Sequence, residues 1–404
     1  MVPESKWPMI SVDDALGRVM SFAHPLPPTT VPLMDALDRV LAADVSAVED
    51  MPPFRASTVD GFAVVAEDSA PQRRLVGEQT AGHQDNIVVT PGTAARITTG
   101  APVPEGANAI VMVEETEERD GCVWLRGPAL APGANIRPIG QDIRRGEVVL
   151  RAGTVLGPAE LGVLATLGRA DALVIPPPTV AVLSTGDELV EPGVAPGPGQ
   201  IRDSNRYTLM AAIRRLGAIP LDLGIVEDRQ GDLEQRVERG LAEAHILVSS
   251  GGVSMGHLDL VKPLLERLGT IHFGRLNMKP GKPLTFATVG PTLAFALPGN
   301  PVSSLVSFEL FVRPAIRRLQ GHADSERPTV RARLTHAVRH DSDRTEFQRA
   351  IVRRGADGYT AVTTGFQGSS RLMSMVGANA LLVLPHGTGD YAADDEVDVL
   401  LLTD

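Results

Sequence analysis

Five carboxylates of the 404-residue chain stand beside turns, where a side chain can face a ligand. They are Asp60, Asp142, Glu188, Asp228 and Asp259. Taken singly, each of them is most simply a solvated or capping acid. If several converge on an anion, however, a hard cation such as Mg²⁺ is expected between them and the ligand, because like charges at 4 Å repel by about 1 kcal/mol per pair even in water.

Two lysines flank a Pro-Gly turn in the segment KPGKP, residues 279–283. The turn allows both ammonium groups, of Lys279 and Lys282, to reach one locus, while the prolines limit the entropy of the loop. Lysines on an exposed turn are as often merely solvated. The pair therefore indicates an anion site only if the turn lies beside other candidate segments.

A glycine-rich loop follows an apolar strand in the segment ILVSSGGVSMGHLDLVK, residues 246–262. The spacing of its glycines fits neither the dinucleotide pattern G-x-G-x-x-G nor a P-loop, which would end in Gly-Lys-Ser/Thr. Glycines still admit close approach, and a helix N-terminus follows them. Because that dipole contributes only about 0.3–1 kcal/mol per charge, an anion held here would need nearby cations as well.

Two further segments combine hydroxyls with an open backbone. STGDEL, residues 184–189, places Ser184, Thr185 and Gly186 at the end of an apolar run. In LPGNPVSS, residues 297–304, Asn300 is a suitable N-cap and Pro301 a suitable first helical residue, so we expect free backbone N–H groups to face a ligand there.

The elements that position these segments alternate between strand and helix after the triple proline 176–178. This alternation predicts a parallel α/β sheet. Ligands of such sheets sit at the carboxyl ends of the strands, and all four segments fall there. The sequence therefore predicts one site built from four loops.

The remaining chain has a different pattern. Apolar spacing predicts a helix that begins near Ser11 and a second one over residues 32–44, and residues 157–168 read as a further helix. Short strand-like runs among frequent Gly and Pro predict a β-rich unit over residues 48–140. From about residue 328, short alternating runs predict a small β-barrel or sandwich.

Composition excludes several functional classes. A net charge of -11 argues against nucleic acid as a partner, and 4% aromatic residues make a base-stacking platform implausible. The single cysteine, Cys122, rules out a disulfide framework and a thiolate metal cluster within the chain. Neither a signal peptide nor a membrane-spanning run is evident, so we expect a soluble cytoplasmic protein.

The chain resembles the MoeA family of molybdopterin molybdenumtransferases and the E domain of gephyrin from its N-terminal helices to its end. The resemblance rests on nine segments in family order: PPFRASTVDGFAV, ITTGAPVPEGANAIVMVEE, IRPIGQDI, STGDEL, GQIRDSNR, SSGGVSMG, KPGKP, LPGNPVSS and QGSSRLMSM. Each segment alone is weak evidence, whereas nine in the same order are specific.

The resemblance implies a fold of four parts: a split helical domain (1–47 and 140–172), an inserted β-rich domain (48–139), an α/β molybdopterin-binding domain (173–327) and a C-terminal β domain (328–404). It also implies a homodimer whose active site lies between subunits. Asp60, Thr99 and Asp142 of one subunit would come close to the α/β domain of the partner.

The implied reaction inserts molybdate into adenylylated molybdopterin and releases AMP. Lys279 and Lys282 would offset anionic charge, and Asp228, Asp259 and Glu188 would hold Mg²⁺ or another divalent metal. Asp60 and Asp142 would complete the catalytic set. The contacts to the pterin phosphate or AMP would come from Thr99, Ser184, Thr185, Gly186, Ser250, Gly251, Gly252, Ser254, Pro298, Gly299, Asn300 and Ser303. A molybdopterin adenylyltransferase is an expected partner.

Two positions depart from the family pattern, and three rival functions remain. His257 stands where similar sequences often have an acid, and Leu260 where they often have an aromatic residue. One rival is molybdopterin adenylylation, although the loop GGVSMGHLD lacks the usual Arg-Asp pair of that activity. A non-catalytic scaffold like gephyrin would not need the retained acids and lysines. A nicotinamide-dependent dehydrogenase lacks its fingerprint here.

Overall fold

A computed structural model describes residues 7–83, 85–128, 130–226, 230–251 and 260–403. Seven α-helices lie in these residues, numbered in chain order: α1 Val12–Phe22, α2 Pro158–Thr166, α3 Asn205–Arg215, α4 Gln230–Glu243, α5 Val261–Leu268, α6 Pro301–Ser307 and α7 Arg313–Leu319. A π-helical turn, Phe308–Val312, joins α6 to α7. Within the described ranges, every helix is too short or too polar to cross a membrane.

The strands of the same residues are also numbered in chain order. The first twelve are β1 Thr29–Pro32, β2 Val45–Ser46, β3 Ala56–Ser57, β4 Gly61–Val64, β5 Gln72–Gln79, β6 Thr93–Ile97, β7 Ala109–Met112, β8 Thr116–Arg119, β9 Cys122–Leu125, β10 Ile136–Arg137, β11 Val148–Leu150 and β12 Asp171–Val174. The others are β13 Thr179–Thr185, β14 Leu189–Val190, β15 Ile201–Arg202, β16 Ile219–Val226, β17 Ile246–Ser250, β18 Thr270–Phe273, β19 Met278–Lys279, β20 Thr285–Val289, β21 Thr292–Leu297, β22 Thr329–Leu334, β23 Thr345–Gly355, β24 Gly358–Thr363, β25 Ala380–Leu384 and β26 Glu396–Leu401.

The chain forms two compact units. The larger unit consists of Met1–Ala42, Val155–Gly157 and Asp171–Asp404, and the smaller unit of Ala43–Thr154 and Pro158–Ala170. The smaller unit thus lies in sequence between parts of the larger unit, as expected of an inserted domain. The division into four parts with the boundaries given above stays a prediction.

A six-stranded sheet in the order β16-β13-β17-β21-β20-β18 forms the centre of the larger unit. The pairs β16–β13, β13–β17 and β17–β21 are parallel, which confirms the predicted α/β fold. Strand β20 runs antiparallel to both of its neighbours. Only Gly290 and Pro291 separate β20 from β21, and a connection this short can join only antiparallel strands.

Helices cover both faces of this sheet. Alternate residues of β13 pack against different sets of helices. Val180 and Val182 pack in one buried cluster with residues of α1, α3, α6 and α7. Ala181 and Leu183 pack in another with residues of α4 and α5. Successive side chains of a strand point to opposite faces, so a strand buried on both faces must be apolar throughout, as this one is.

The N-terminal region confirms one predicted helix and corrects another. Helix α1 begins after Ser11, whose hydroxyl accepts a hydrogen bond from the N–H of Asp14 at 3.0 Å. The predicted helix over residues 32–44 is wrong: a single 3₁₀ turn, Leu33–Ala36, is all that forms. Beyond it, backbone bridges to Val155 and Val174 hold the segment extended, so long-range pairing overrides the local helical pattern.

The C-terminal strands close into a barrel. The sequence predicted either a barrel or a sandwich, and the structure shows the barrel. Its five strands follow one another in the order β23-β24-β22-β26-β25, and β25 pairs back with β23. Short β19 adds to the outside of β23. In the smaller unit, a six-stranded sheet in the order β7-β4-β6-β5-β9-β8 confirms the expected β-rich character.

Candidate functional site

The candidate site lies at the carboxyl ends of β13 and β17. These strands are neighbours, yet the chain leaves them in opposite directions, towards β16 on one side and β21 on the other. This reversal makes the crevice between them the place where α/β sheets bind ligands. The structure thereby brings together Ser184, Thr185, Gly186, Ser250 and Gly251, as the sequence predicted.

Backbones of three loops come into contact in this crevice, which we call the switch-point crevice. A methyl group at Gly251 would lie 2.5 Å from the carbonyl oxygen of Thr185, and the φ of Gly251 is +94°. A methyl group at Gly299 would lie 3.6 Å from Cα of Gly251. Glycine is required at 251, because any larger residue would separate the loops.

Asn205, at the first position of α3, ties two of these loops together. Its amide nitrogen donates to Oγ of Ser250 at 2.8 Å and to the carbonyl oxygen of Gly299 at 2.7 Å. The sequence analysis, which quoted Asn205 within GQIRDSNR, did not place it at the site. The sequence did contain one indication of this role: Asn205 is a polar residue at the start of the helix that follows β13.

Two hydroxyls at the end of β13 have unused hydrogen-bonding capacity. The side chains of Ser184 and Thr185 are buried, and neither hydroxyl has a hydrogen-bond partner among the described residues. The Thr185 hydroxyl faces Gly251 across the crevice. A buried hydroxyl without a partner costs about 1–3 kcal/mol, so a polar ligand that bonded to it would recover that energy.

The segment 297–304 lies at the same edge, but its predicted cap does not form. Pro298 is buried, and the side chain of Asn300 makes no hydrogen bond to the start of α6. The N–H of Val302 donates instead to the carbonyl oxygen of Ser369 at 3.0 Å. The loop QGSSRLMSM of the barrel therefore takes one donor that we expected to be free, while Ser303 is buried one residue further on.

The lysine turn is at the predicted edge of the sheet, although its two lysines differ in environment. Thr285, which follows the turn, pairs with Ala296 near the carboxyl end of β21. The ammonium group of Lys279 lies 3.2 Å from Glu346 and 3.6 Å from Asp341, both in the barrel. Lys282 has no ion-pair partner in the described part of the chain, so it is the freer cation.

Glu346 is a buried acid that sequence reasoning missed. Only 4% of Glu346 is exposed, and Nδ1 of His340 lies 3.2 Å from its second oxygen. The N–H of Asp341 donates to that same oxygen at 3.1 Å. Glu346 thus fixes the position of Lys279 from 67 residues further along the chain, a separation that gives no local sequence signal.

Arg349 is a second missed residue, on the same strand as Glu346. Its guanidinium is buried and donates to Oγ of Ser374 at 3.1 Å and to the carbonyl oxygen of Gly368 at 3.3 Å. No carboxylate pairs with it among the described residues. Burial lowers the pKa of Arg349 to about 10, because desolvation outweighs the attraction of Glu346. It is a desolvated cation beside the loop that contacts α6.

The proposed metal ligands are only partly described. The carboxylate of Glu188 lies over Gly186, where a methyl group would overlap with its oxygen, so Glu188 is at the crevice. Asp228, Asp259, Gly252, Ser254 and His257 lie outside the described residues. Within the described ranges, no group of three His, Cys, Asp or Glu side chains could hold a metal.

In the smaller unit, Asp60 and Thr99 come together. Asp60 accepts hydrogen bonds from the N–H of Thr99 at 2.7 Å and from its hydroxyl at 2.9 Å. These two bonds, the backbone one first, lower the pKa of Asp60 below its ordinary value. Two residues chosen from separate segments therefore form one ionised, oriented carboxylate.

Asp142 has a different partner in that unit. Its carboxylate pairs with the guanidinium of Arg137, and both side chains are more than a third exposed. Arg137 lies in the matching segment IRPIGQDI, but sequence reasoning did not single it out. Asp142 is therefore one half of an exposed ion pair, and any ligand that used it would have Arg137 beside it.

Three family profiles match successive parts of the chain. The MoeA N-terminal region (domain I and II) matches residues 10–168, and the MoeA C-terminal region (domain IV) matches residues 331–402. Between them, a probable molybdopterin binding domain matches residues 181–318. The middle profile covers all four segments that the sequence predicts for the site.

Two curated relatives match almost all of the chain. Gephyrin from Dictyostelium discoideum is 36% identical over 98% of this chain, which spans 63% of the length of that gephyrin. Molybdopterin molybdenumtransferase 2 from Mycobacterium tuberculosis is 38% identical over 98% of this chain and 100% of its own length. The chain thus corresponds to a whole bacterial relative and to about two thirds of the gephyrin.

A solved structure has the same fold. The molybdopterin biosynthesis MoeA protein from Pyrococcus horikosii superposes with a TM-score of 0.86 at 31% identity, over 98% of this chain and 100% of that chain. Sequence profiles, curated relatives and fold agree along nearly the whole length. The chain therefore belongs to the MoeA family.

Proposed function

We propose that this chain is a molybdopterin molybdenumtransferase, which inserts molybdate into adenylylated molybdopterin and releases AMP. In this reaction the dithiolene sulfurs take up molybdenum, and the phosphoanhydride is cleaved. The observation that carries the proposal is the switch-point crevice, where the loops after three strands meet at Gly251 and the buried hydroxyls of Ser184 and Thr185 have no partner among the described residues.

Charges around the crevice support an anionic substrate. Lys282 has no ion-pair partner among the described residues, and Arg349 is a buried cation without a paired acid there. Lys282 would gain a charge-assisted hydrogen bond to a bound anion, whereas the enclosed Arg349 would contribute its positive charge without direct contact. We propose that Lys279, Lys282 and Arg349 offset the charge of molybdate and phosphate.

The buried hydroxyls would orient the substrate. Ser184 and Thr185 can each donate one hydrogen bond to a phosphate or pterin oxygen, and each lacks another partner in the described residues. Asn205 holds the facing loops in place through Ser250 and Gly299. We propose that Gly252, Ser254, Pro298, Asn300 and Ser303 complete the contacts of the same cradle.

Mg²⁺ or another divalent metal suits the acids that we assign to the site. Glu188 at the crevice, together with Asp228 and Asp259, would hold it through carboxylate oxygens, which are the ligands that Mg²⁺ prefers. The ion would supply positive charge to the phosphoanhydride. Glu188 is exposed to solvent, so its carboxylate is available for such a contact.

We further propose a cytoplasmic homodimer in which two subunits build each site. The ionised Asp60, oriented by Thr99, and the pair of Asp142 with Arg137 are surface groups of the smaller unit. Facing the switch-point crevice of a partner, they would complete the catalytic set. A molybdopterin adenylyltransferase would supply the substrate.

An assay of AMP release from adenylylated molybdopterin, with molybdate present, tests these assignments. We expect Lys282→Ala and Lys279→Ala to slow release by at least about tenfold, the effect of losing one charge-assisted hydrogen bond. Arg353→Ala, which removes an exposed cation elsewhere in the barrel, is the control. Wild-type rates in both lysine variants would refute the proposed roles.

A further inference from the structure

A second cavity, of about 660 Å³, lies in the larger unit away from the crevice. We call it the arginine cleft, because Arg39, Arg214, Arg215 and Arg317 all line it. These arginines come from three separate parts of the chain: the N-terminal segment, the last turn of α3 and helix α7. The cleft is therefore assembled by the fold and is not the surface of one element.

The arginine cleft and the switch-point crevice are at opposite edges of the sheet. Pro177 and Gly217 line the cleft, and they precede the paired amino ends of β13 and β16. The crevice lies at the carboxyl end of β13, six residues beyond the first residue of that strand. At about 3.3 Å per residue, the two edges are roughly 20 Å apart, so one small ligand cannot occupy both.

The positive charge in the cleft is largely uncompensated. Arg39, Arg214 and Arg215 have no ion-pair partner among the residues that the structure describes, although Asp35 and Asp38 also line the cavity. In a chain with a net charge of -11, the lining of this cavity has four arginines and two aspartates, so its formal charge is positive. Guanidinium groups in this arrangement favour phosphate or carboxylate oxygens.

A simpler explanation accounts for only part of this charge. Arg214 and Arg215 lie in the last turn of α3, where cations are stabilised by the helix dipole. That effect says nothing about Arg39 or Arg317, which approach the same cavity from other elements. The dipole would oppose a bound anion by about 0.3–1 kcal/mol, less than one charge-assisted hydrogen bond provides.

Part of the remaining wall is apolar and partly exposed. Leu37 is 40% exposed and Val155 45% exposed, and both line the cleft together with buried Ile175. Such side chains would be covered by the flat face of a ring. Oε1 of Gln320, another lining residue, is a buried acceptor without a hydrogen-bond partner in the described residues. It could accept a hydrogen bond from an amino group or a hydroxyl group of the ligand.

We propose that the arginine cleft binds a small phosphorylated ligand with a planar ring, of the size of a nucleoside diphosphate. The arginines would bind the phosphates, and Leu37, Val155 and Ile175 would cover the ring. A cavity of 660 Å³ is within the range that such ligands occupy. This ligand site is separate from the molybdate-insertion site and does not depend on the proposed reaction.

Titration calorimetry of the full-length protein with ADP, and separately with inorganic pyrophosphate, tests the site. The variant Arg214→Ala/Arg215→Ala removes two exposed arginines that line the cleft. Its matched control is Arg353→Ala/Arg354→Ala, which removes two adjacent exposed arginines from barrel strand β23. Both variants change the net charge equally, so general electrostatic attraction would affect them alike.

We expect ADP to bind the wild-type protein more tightly than pyrophosphate does, and its affinity to fall by at least about tenfold in the cleft variant. The control should keep the wild-type affinity. Leu37→Ser should weaken ADP binding and leave pyrophosphate binding unchanged. The proposal is overturned if wild type does not bind ADP, if the cleft variant binds it normally, or if the control loses as much affinity as the cleft variant.

Discussion

At the scale of single residues, charge states are set by a few direct neighbours. Asp60 is the clearest case, because the N–H of Thr99 and then its hydroxyl lower the pKa of that carboxyl. The carboxylate is therefore ionised throughout the neutral range. The ionised carboxylate stabilises the folded state fully at pH values above the ordinary pKa of Asp60. This contribution is lost as the pH falls through the lowered pKa.

Replacing the Thr99 hydroxyl tests this neighbour effect. In Thr99→Val, we expect the pKa of Asp60 to rise towards, but not to reach, its ordinary value of 3.8, because the backbone N–H still donates. A carbon-detected NMR titration of the carboxyl group measures it. Thr116→Val, which removes a hydroxyl bonded to Val113, is the control and should leave Asp60 unchanged. An unshifted pKa in Thr99→Val would show that the hydroxyl contributes nothing.

At the scale of elements, the switch-point crevice depends on loops that touch. Gly251 has both a positive φ and the Thr185 carbonyl oxygen 2.5 Å from the position of a methyl group. Gly290, in the hairpin between β20 and β21, has a φ of +56° and open space around it. An alanine at position 290 would therefore cause backbone strain alone, whereas an alanine at position 251 would cause strain and steric overlap.

We expect Gly251→Ala to lower the free energy of unfolding by more than about 2 kcal/mol and to abolish substrate binding, because it pushes two loops apart. Gly290→Ala should cost about 1 kcal/mol, from strain alone, and should leave binding intact. Urea unfolding of both variants measures the difference. Equal stability losses would mean that the loops are not in the contact described.

Behind the crevice, Arg206 of α3 connects the helix to the sheet. Its buried guanidinium binds Asp203 at 3.1 Å, Asp222 at 2.5 Å and Glu191 at 2.6 Å. Burial alone would lower the pKa of Arg206, but the bonds to Asp222 and Asp203 outweigh it and raise the pKa above its ordinary value. Arg206 therefore helps to position Asn205, its neighbour in the helix.

Removal of Arg206 should be costly because Asp203 is only 1% exposed. We expect Arg206→Met to lower the free energy of unfolding by about 3 kcal/mol or more, since it leaves a buried charge unpaired. The double variant Arg206→Met/Asp203→Asn should recover part of that loss. Chemical denaturation of both variants gives the comparison. A loss below about 1 kcal/mol in the single variant would contradict the assigned role.

The sequence predicted the elements of the site better than its contacts. The alternation of strands and helices after Pro178 was sufficient to place Ser184, Gly251 and Gly299 at one sheet edge, because parallel strands end together. It could not predict that Glu346 pairs with Lys279, since that contact depends on how the barrel closes. The helix expected over residues 32–44 failed for the same reason, through pairing with distant strands.

At the scale of the whole molecule, the proposed catalytic set is divided between the two compact units. Asp60, Thr99 and Asp142 belong to the smaller unit, and Lys279 and Lys282 to the larger one. A site shared between subunits would draw each half from a different chain. The division therefore makes oligomerisation a testable part of the mechanism.

Mixing two inactive variants distinguishes shared sites from sites within one chain. If subunits share sites, Asp60→Ala and Lys282→Ala chains that are unfolded and refolded together should recover about a quarter of the wild-type activity, because half of the dimers then hold one intact site of two. Each variant refolded alone is the control. If each site lies within one chain, the mixture stays as inactive as its parts.

The central claim is tested most directly by following AMP release from adenylylated molybdopterin by the wild-type protein, with and without molybdate. Our account predicts release that rises strongly when molybdate is added, together with transfer of molybdenum to the dithiolene. The account would be contradicted if the rate of AMP release were the same with and without molybdate. It would also be contradicted if the protein formed adenylylated molybdopterin from ATP and molybdopterin, because that activity would assign the chain to the preceding step.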